Sequence, residues 1–271
     1  MEFSVIIPTL NEENYIEDCI KSISSQTFPR DKYEIIVSDG SSEDRTVEIA
    51  EKYADIVVIS KKKGIWWGRN YGAKFAKGKY LVFIDADTTI KEDYLEVVHK
   101  YLENGIVGLT MGFGIEGKGP KMRLIEYVSD YYWWLNSKIG NGSLIGINIC
   151  VPKKIFMKIG GFKEYALEDA AFDKELRTEG QTLFLVQRKV VTSARRFEEY
   201  GAIGLCRYYF ELGLLDSGKI GNPYIINFIK YRNYLPVRIS KIKKECSRYE
   251  RFKALCDSIH GFNPLFNNRD I

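Results

Sequence analysis

Short apolar runs alternate with helical stripes through the first 110 residues of this chain. Residues 3–7 form an apolar run stopped by Pro8, and residues 12–24 carry Ile16, Ile20 and Ile23 on one helical face. Residues 34–38 hold Ile35-Ile36-Val37 and end at Asp39-Gly40. Residues 41–53 open with Ser-Ser-Glu-Asp, a helix-start signature. Strands at 56–59 and 80–84 and helices at 66–76 and 91–103 continue the series. Such a series predicts βαβ crossovers and an α/β fold with a mainly parallel sheet. Ligands of these sheets bind beyond the carboxyl ends of the strands. Pro8-Thr9, Asp39-Gly40 and Asp85-Ala86-Asp87 all lie there, so three strands deliver polar residues to one rim.

The second half is less regular. A helix is expected over 121–138, with a dense aromatic cluster Tyr131-Tyr132-Trp133-Trp134. A strand over 145–151 leads to a helix that starts at Pro152 and closes at Gly160-Gly161. A helix over 169–178, short strands at 182–186 and 190–192, and a helix over 203–215 follow. The length of 271 residues suits one domain with a small extension. Residues 201–271 hold twelve Lys+Arg against six Asp+Glu, whereas the whole chain is only +4. That net charge is too mild to argue for nucleic acid. No apolar run reaches the roughly 18 residues of a membrane span. The amino terminus is an acid followed by a strand pattern, so no signal peptide is expected. Five scattered cysteines (Cys19, Cys150, Cys206, Cys246, Cys256) without a CxxC argue against a disulfide scaffold or zinc site, and fit a reducing cytoplasm.

The rim motifs allow specific chemistry. Where the chain turns after a strand, Asp85 and Asp87 can approach one site. One carboxylate can bind Mg²⁺ or Mn²⁺ that also holds a diphosphate, and the other can accept from a sugar hydroxyl. The bland alternative is a solvated turn. Asp39 either shapes a turn or accepts the N–H of a nucleobase. Pro8-Thr9-Leu10-Asn11-Glu12 is either a helix start capped by Asn11 or a cradle for a nucleoside.

These motifs together resemble family 2 glycosyltransferases, which are inverting enzymes of the GT-A fold. The resemblance is carried by Val5-Ile6-Ile7-Pro8-Thr9-Leu10-Asn11-Glu12, Ile36-Val37-Ser38-Asp39-Gly40-Ser41-Ser42-Glu43-Asp44, Gly68-Arg69-Asn70-Tyr71-Gly72-Ala73 and Phe83-Ile84-Asp85-Ala86-Asp87. It implies that Pro8, Thr9, Leu10 and Glu12 line the nucleoside pocket and that Asp39 pairs with the base. Arg69 and Asn70 would sit close to the nucleotide. Asp85 would contact the ribose or sugar, with Ala86 beside it, and Asp87, neighboured by Asp85, would be the main protein ligand of the cation. Further on, Gly160-Gly161-Phe162 resembles the turn bordering the acceptor site. Leu167-Glu168-Asp169-Ala170-Ala171-Phe172 resembles the family's Glu-Asp motif, whose Asp would be the general base. Thr192-Ser193-Ala194-Arg195-Arg196-Phe197 resembles a Ser-x-Arg-Arg segment that would set its arginines near the diphosphate.

On this resemblance residues 1–200 form the GT-A domain. Its nucleotide-sugar half is 1–110, its acceptor half 111–200, and 201–271 is a helical, basic extension. The donor would be a UDP- or GDP-sugar and the acceptor a hydroxyl of a glycan or lipid-linked glycan. Arg195 or Arg196 and the cation would stabilise the leaving diphosphate while Asp169 takes the acceptor proton. Glu168 beside it raises a carboxyl pKa if the two side chains converge, which the helix start opposes, so the sign is open. The rivals are a polyprenyl-phosphate sugar synthase, a sugar-1-phosphate nucleotidyltransferase and a non-catalytic nucleotide-sugar-binding protein. The aromatic-basic segments at 224–232 and 241–253 suit either a solvated helix or a peripheral contact at the inner face of the membrane. The ring cluster at 131–134 reads as a packed core with one exposed ring, an acceptor platform or an interfacial anchor. His99 reads as a helix-surface residue, and His260 has no local support as a ligand. Of Trp66 and Trp67, one is expected to stack on the base or line the sugar pocket and the other to pack in the core.

Overall fold

The strand–helix alternation folds into an eight-stranded mixed sheet with helices on both faces. The computed structural model describes residues 1–117, 119–140, 142–164, 167–196, 198 and 201. The first series is β1 (Phe3–Thr9), α1 (Ile16–Ser24), β2 (Tyr33–Asp39), α2 (Thr46–Tyr53), β3 (Ile56–Ile59), α3 (Ile65–Ala73) and β4 (Tyr80–Ile84). Then come β5 (Thr88–Ile90), α4 (Tyr94–Glu103), β6 (Gly108–Ile115), α5 (Pro120–Lys138), β7 (Asn148–Pro152), α6 (Lys153–Ile159), α7 (Glu168–Leu176) and β8 (Thr182–Thr192).

The spatial order is β3-β2-β1-β4-β7-β6-β8-β5. The first four strands pair in parallel. β7 joins β4 and β6 antiparallel, β6 and β8 are parallel, and β5 closes the edge antiparallel to β8. Because β1 has β2 on one side and β4 on the other, the chain order reverses at β1, and in open α/β sheets ligands bind beyond the carboxyl ends of the strands at such a reversal.

Period-two alternation explains why the central strands are continuous apolar runs. Val5, Ile7, Ile35, Val37, Val82 and Ile84 enter one core with α1 and α4. Ile6, Ile36, Leu81 and Phe83 enter the other with Phe156, Phe162 and Phe172. Glycines let α3 lie close over β1 and β2: a Cβ on Gly72 would stand 2.6 Å from Ile6 Cγ2.

Several sequence expectations shift. α1 begins at Ile16, not at residue 12. Asn11 caps nothing; it adopts a φ of 56° and accepts from the Glu43 N–H. α2 begins at Thr46, because Asp44 bonds the Thr46 N–H in a turn. The two short strands at 182–192 are one strand, β8, with an irregularity opposite Met111 and Phe113. β5 and β6 were not expected; β6, Gly-Leu-Thr-Met-Gly-Phe-Gly-Ile, carries three glycines that dilute its strand pattern. Asn148 splices β6 to β7, its amide bonding Met111 N and O at 2.7 and 3.0 Å.

The ring cluster is not a packed core: Tyr131, Tyr132 and Trp134 are all exposed. Cys19 and Cys150 are free and buried. The extension at 201–271, apart from Gly201, lies outside the described residues, with the helix expected at 203–215, both aromatic-basic segments, Cys206, Cys246, Cys256 and His260; so does Phe197.

Candidate active site

The ends of β1, β2 and β4 do lie side by side, as their parallel register requires: Thr9 is opposite Asp39, and Ile6 opposite Phe83. At the β2 end, Asp39 is fully buried. It accepts from Thr9 Oγ1 at 2.8 Å, from Ser42 Oγ at 2.6 Å and from the Ser42 N–H at 2.7 Å. Pro8 and Leu10 flank this cluster half-buried. Gly68 of α3 approaches Pro8, and Gly40 approaches Leu10.

Glu12 is buried although it follows the exposed Asn11. Its carboxylate is gripped by Arg195, whose Nη1 and Nη2 donate at 2.8 and 3.1 Å. The same Nη2 donates to Asp87 Oδ2 at 2.8 Å, and Ser193 Oγ donates to that oxygen at 2.9 Å. The Ser193 N–H also bonds the Asp87 carbonyl, so the turn after β8 is stitched to the Asp85-Ala86-Asp87 turn after β4. Ala86 is buried between its two acids. Arg196 is exposed, and its charge favours ionised Asp85.

A second arginine organises the other wall. Arg69 of α3 is 1% exposed. Its Nη1 donates to Glu168 Oε1 at 2.8 Å, and its Nη2 to Asp85 Oδ1 at 3.0 Å and to the Gly146 carbonyl at 2.6 Å. The guanidinium lies over the Phe162 ring at 5.1 Å. The Gly146 N–H in turn donates to Asp169 Oδ2 at 2.8 Å, and Asp169 Oδ1 accepts from the Ala170 N–H in the first turn of α7. Asp85, Arg69, Glu168, Gly146 and Asp169 thus form one connected network.

Burial dominates the electrostatics here. It raises the Asp85 carboxyl, against the pull of Arg69. It raises Glu168 to about 7, with the charge of Asp169 adding and Arg69 opposing. The sign left open by the sequence is therefore upward: desolvation outweighs the guanidinium.

Asn70 follows Arg69 on α3. Its amide clasps the Phe162 backbone, donating to the carbonyl at 2.7 Å and accepting from the N–H at 2.9 Å. This fixes α3 to the Gly160-Gly161-Phe162 turn, where both glycines have positive φ. Trp66 packs against the apolar core, and Trp67 donates to Ser60 Oγ at 2.7 Å. Ser193 and Gly146 carried no assigned role in the sequence. Gly146 shows there only as an interruption of an apolar run, and its contribution is entirely backbone. At the opposite, amino-terminal end of the sheet, His99 meets Glu2 and Glu103, but Glu103 is engaged by Lys79.

This arrangement can be set beside known proteins. A family model, glycosyl transferase family 2, matches residues 4–165, more than half of the chain. The chain belongs to glycosyl transferase family 2. Within the family, it is 29% identical over 195 residues to the poly(ribitol-phosphate) beta-N-acetylglucosaminyltransferase TarS of Staphylococcus aureus, covering 69% of this chain and 32% of that protein. It is 32% identical over 148 residues to a poly(ribitol-phosphate) beta-glucosyltransferase of Bacillus spizizenii, covering 51% of this chain and 23% of that one. The chain thus spans a third or less of these relatives' length.

Solved structures share the family's GT-A fold. The mannosyltransferase PcManGT of Pyrobaculum calidifontis, in complex with GDP-Man and Mn²⁺, superposes with a TM-score of 0.61 at 19% identity, covering 97% of this chain and 81% of that one. S. aureus TarS 1-349 in complex with UDP-GlcNAc superposes with a TM-score of 0.57 at 20% identity, covering 97% and 82%.

Proposed function

We propose that this family 2 chain is a glycosyltransferase that moves a sugar from a UDP- or GDP-sugar to an acceptor hydroxyl of a glycan or lipid-linked glycan, with inversion and with a divalent cation. The observation that carries this reading is Arg69. One buried guanidinium holds Asp85 of the Asp85-Ala86-Asp87 turn and Glu168 of the Glu168-Asp169 pair. The carboxylates that donor binding and proton removal require are therefore neighbours, although they come from different halves of the domain. The solved relatives bound to UDP-GlcNAc or to GDP-Man with Mn²⁺ support the donor class and the use of a cation.

In this reading the nucleoside lies across the ends of β1 and β2, against Pro8, Thr9 and Leu10. Asp39 takes the base N–H by exchanging its bond from the Ser42 hydroxyl. The donors around the Asp85-Ala86-Asp87 turn are anionic oxygens, and Asp87 already holds a cationic group, so the residues fit Mg²⁺ or Mn²⁺. Asp87, with Asp85 beside it, would hold the cation, which supplies positive charge to the leaving diphosphate. Arg195, gripping Glu12 and Asp87 in the free chain, turns part of its guanidinium to the diphosphate, for which its planar fork suits it. The exposed Arg196 adds charge from the same turn.

Asp169 accepts the acceptor's proton as the hydroxyl attacks from the face opposite the nucleotide. Its carboxylate is held in place by the Gly146 and Ala170 N–H groups. Glu168 and Arg69 position this helix start relative to the donor wall. A single displacement of this kind inverts the anomeric centre.

The test is Asp169→Asn, assayed for nucleotide release from UDP-GlcNAc, UDP-glucose and GDP-mannose, with donor binding read by calorimetry. Turnover should fall by about 10²–10⁴-fold, as for loss of a general base. Donor affinity should hold. Turnover near the wild-type rate with intact binding would remove Asp169 from the proposal.

A further inference from the structure

Helix α5 is inside out. Its acids, Glu126 and Asp130, are buried on the side facing β6 and β8, where Arg188 bonds them at 3.1 and 2.7 Å. Its outward half carries Leu124, Tyr127, Val128, Tyr131 and Leu135, with Ile139 just past its end, each at least 40% exposed. Tyr132 and Trp134 extend the same face. Among the described side chains of α5, the exposed charges are Arg123 and Lys138, near its two ends, and both are cationic. A cavity of about 440 Å³ opens beside Tyr127, Tyr131 and Trp134, against Val186 and Arg188 of β8.

An apolar face of this extent marks an interaction surface. Its chemistry says which kind. Tyr and Trp favour the boundary between headgroups and acyl chains. A helix with aromatic and aliphatic residues on one face and cations at its margins lies in that boundary. Acids would be repelled by anionic headgroups, and those of α5 are withdrawn onto Arg188. At 19 residues, or about 28 Å, α5 is no membrane span, and no helix among the described residues is apolar enough to be one. Pairing with a second copy is less favourable, because antiparallel helices would set Arg123 against Lys138 with no exposed acid between them.

We propose that the outward face of α5 seats on an anionic lipid bilayer, lying flat in its interface. The proposal does not rest on the donor chemistry assigned above.

The test is flotation of the full chain with vesicles of phosphatidylcholine containing phosphatidylglycerol, compared with phosphatidylcholine alone. The wild type should float with the anionic vesicles at low salt. Arg123→Glu with Lys138→Glu should lower partition by about fivefold or more per charge. Tyr131→Ser with Leu135→Ser should remove most of it, and Lys100→Glu, on α4, should change little. As a check that requires no disruptive variant, brominated lipid should quench wild-type tryptophan fluorescence, and less so in Trp134→Phe. Absence of binding would overturn the proposal. So would equal binding by the α5 variants, which would put the lipid contact elsewhere in the chain. A wild-type dimer dissolved by Tyr131→Ser would give the face to a second copy instead.

Discussion

Arg69 Nη1 lies 2.8 Å from Glu168 Oε1, joining the first half of the chain to the second across 99 residues of sequence. The same guanidinium reaches Asp85, so one side chain sets the spacing between two walls of the site. Among the described residues, no other cationic side chain donates a hydrogen bond to either carboxylate.

Removing that cation should be costly. Arg69→Met leaves the partly buried Asp85 and Glu168, 18% and 13% exposed, facing one another's charge. We expect a loss of about 3–5 kcal/mol in urea unfolding, the usual penalty for orphaning a buried partner. Arg69→Lys keeps the charge but cannot fork between two acids, so it should recover only part of the stability. Equal stability of wild type and Arg69→Met would contradict the organising role.

Glu168 makes stability depend on pH in a defined direction. Its carboxyl is raised from 4.5 to about 7 in the folded chain, chiefly by burial. Between those values the folded state binds the extra proton, so this group's contribution falls as pH rises through the window. Glu168→Gln removes the effect. The Tm of Glu168→Gln minus that of wild type should therefore climb from pH 5 to pH 8. A flat or falling difference would refute the raised pKa.

Arg195 is expected to matter through geometry as well as charge. Arg195→Met strips Glu12 of its bidentate partner and takes a guanidinium from beside Asp87. Turnover should fall by about 10²–10³-fold, as for loss of one preorganised donor. Arg195→Lys should restore little, because the bidentate fork is lost. Steady-state nucleotide release decides between these results.

The turn at Gly160-Gly161 should tolerate no side chain at its second position. Gly161 has a φ of 71°, and a Cβ there would stand 2.5 Å from Asn70 Oδ1. Gly161→Ala should cost about 1–3 kcal/mol in thermal unfolding. Gly105, also at positive φ but facing open space, offers the comparison, and its alanine variant should cost less.

How far the sequence announced this site depends on which atoms do the binding. Asp39, Asp85 and Asp87 were legible because strand ends of a parallel sheet converge by geometry, so a local pattern fixes a shared rim. Glu12 was legible only as part of a motif; nothing local foretells that it is buried against Arg195, 183 residues away. Arg69 and Asn70 were expected beside the nucleotide; that Arg69 forks between Asp85 and Glu168 and that Asn70 clasps the Phe162 backbone had no local signal. Both follow from the close approach of α3 to the sheet, which is a tertiary fact. Gly146 acts through its N–H and carbonyl, groups that every non-proline residue has, so no sequence signal could single it out. β6 was missed because its three glycines remove the side chains by which a strand pattern is read. The Tyr131–Trp134 rings were read partly as core because aromatic residues are usually covered; α5 reverses that by turning its acids inward.

A nucleotide-sugar site on the rim of β1, β2 and β4 stands or falls on nucleotide binding. Thermal unfolding would be followed with UDP, GDP, CDP and dTDP, each with and without Mn²⁺, in wild type and Asp87→Ala. A ligand at about 100 times its Kd adds about 2.7 kcal/mol, a rise on the order of several degrees for a chain of this size. The Tm should rise in this way with UDP or GDP, in dependence on Mn²⁺, and the rise should be lost in Asp87→Ala. A folded wild type whose Tm moves with none of the four nucleotides, or moves equally in Asp87→Ala, would contradict it.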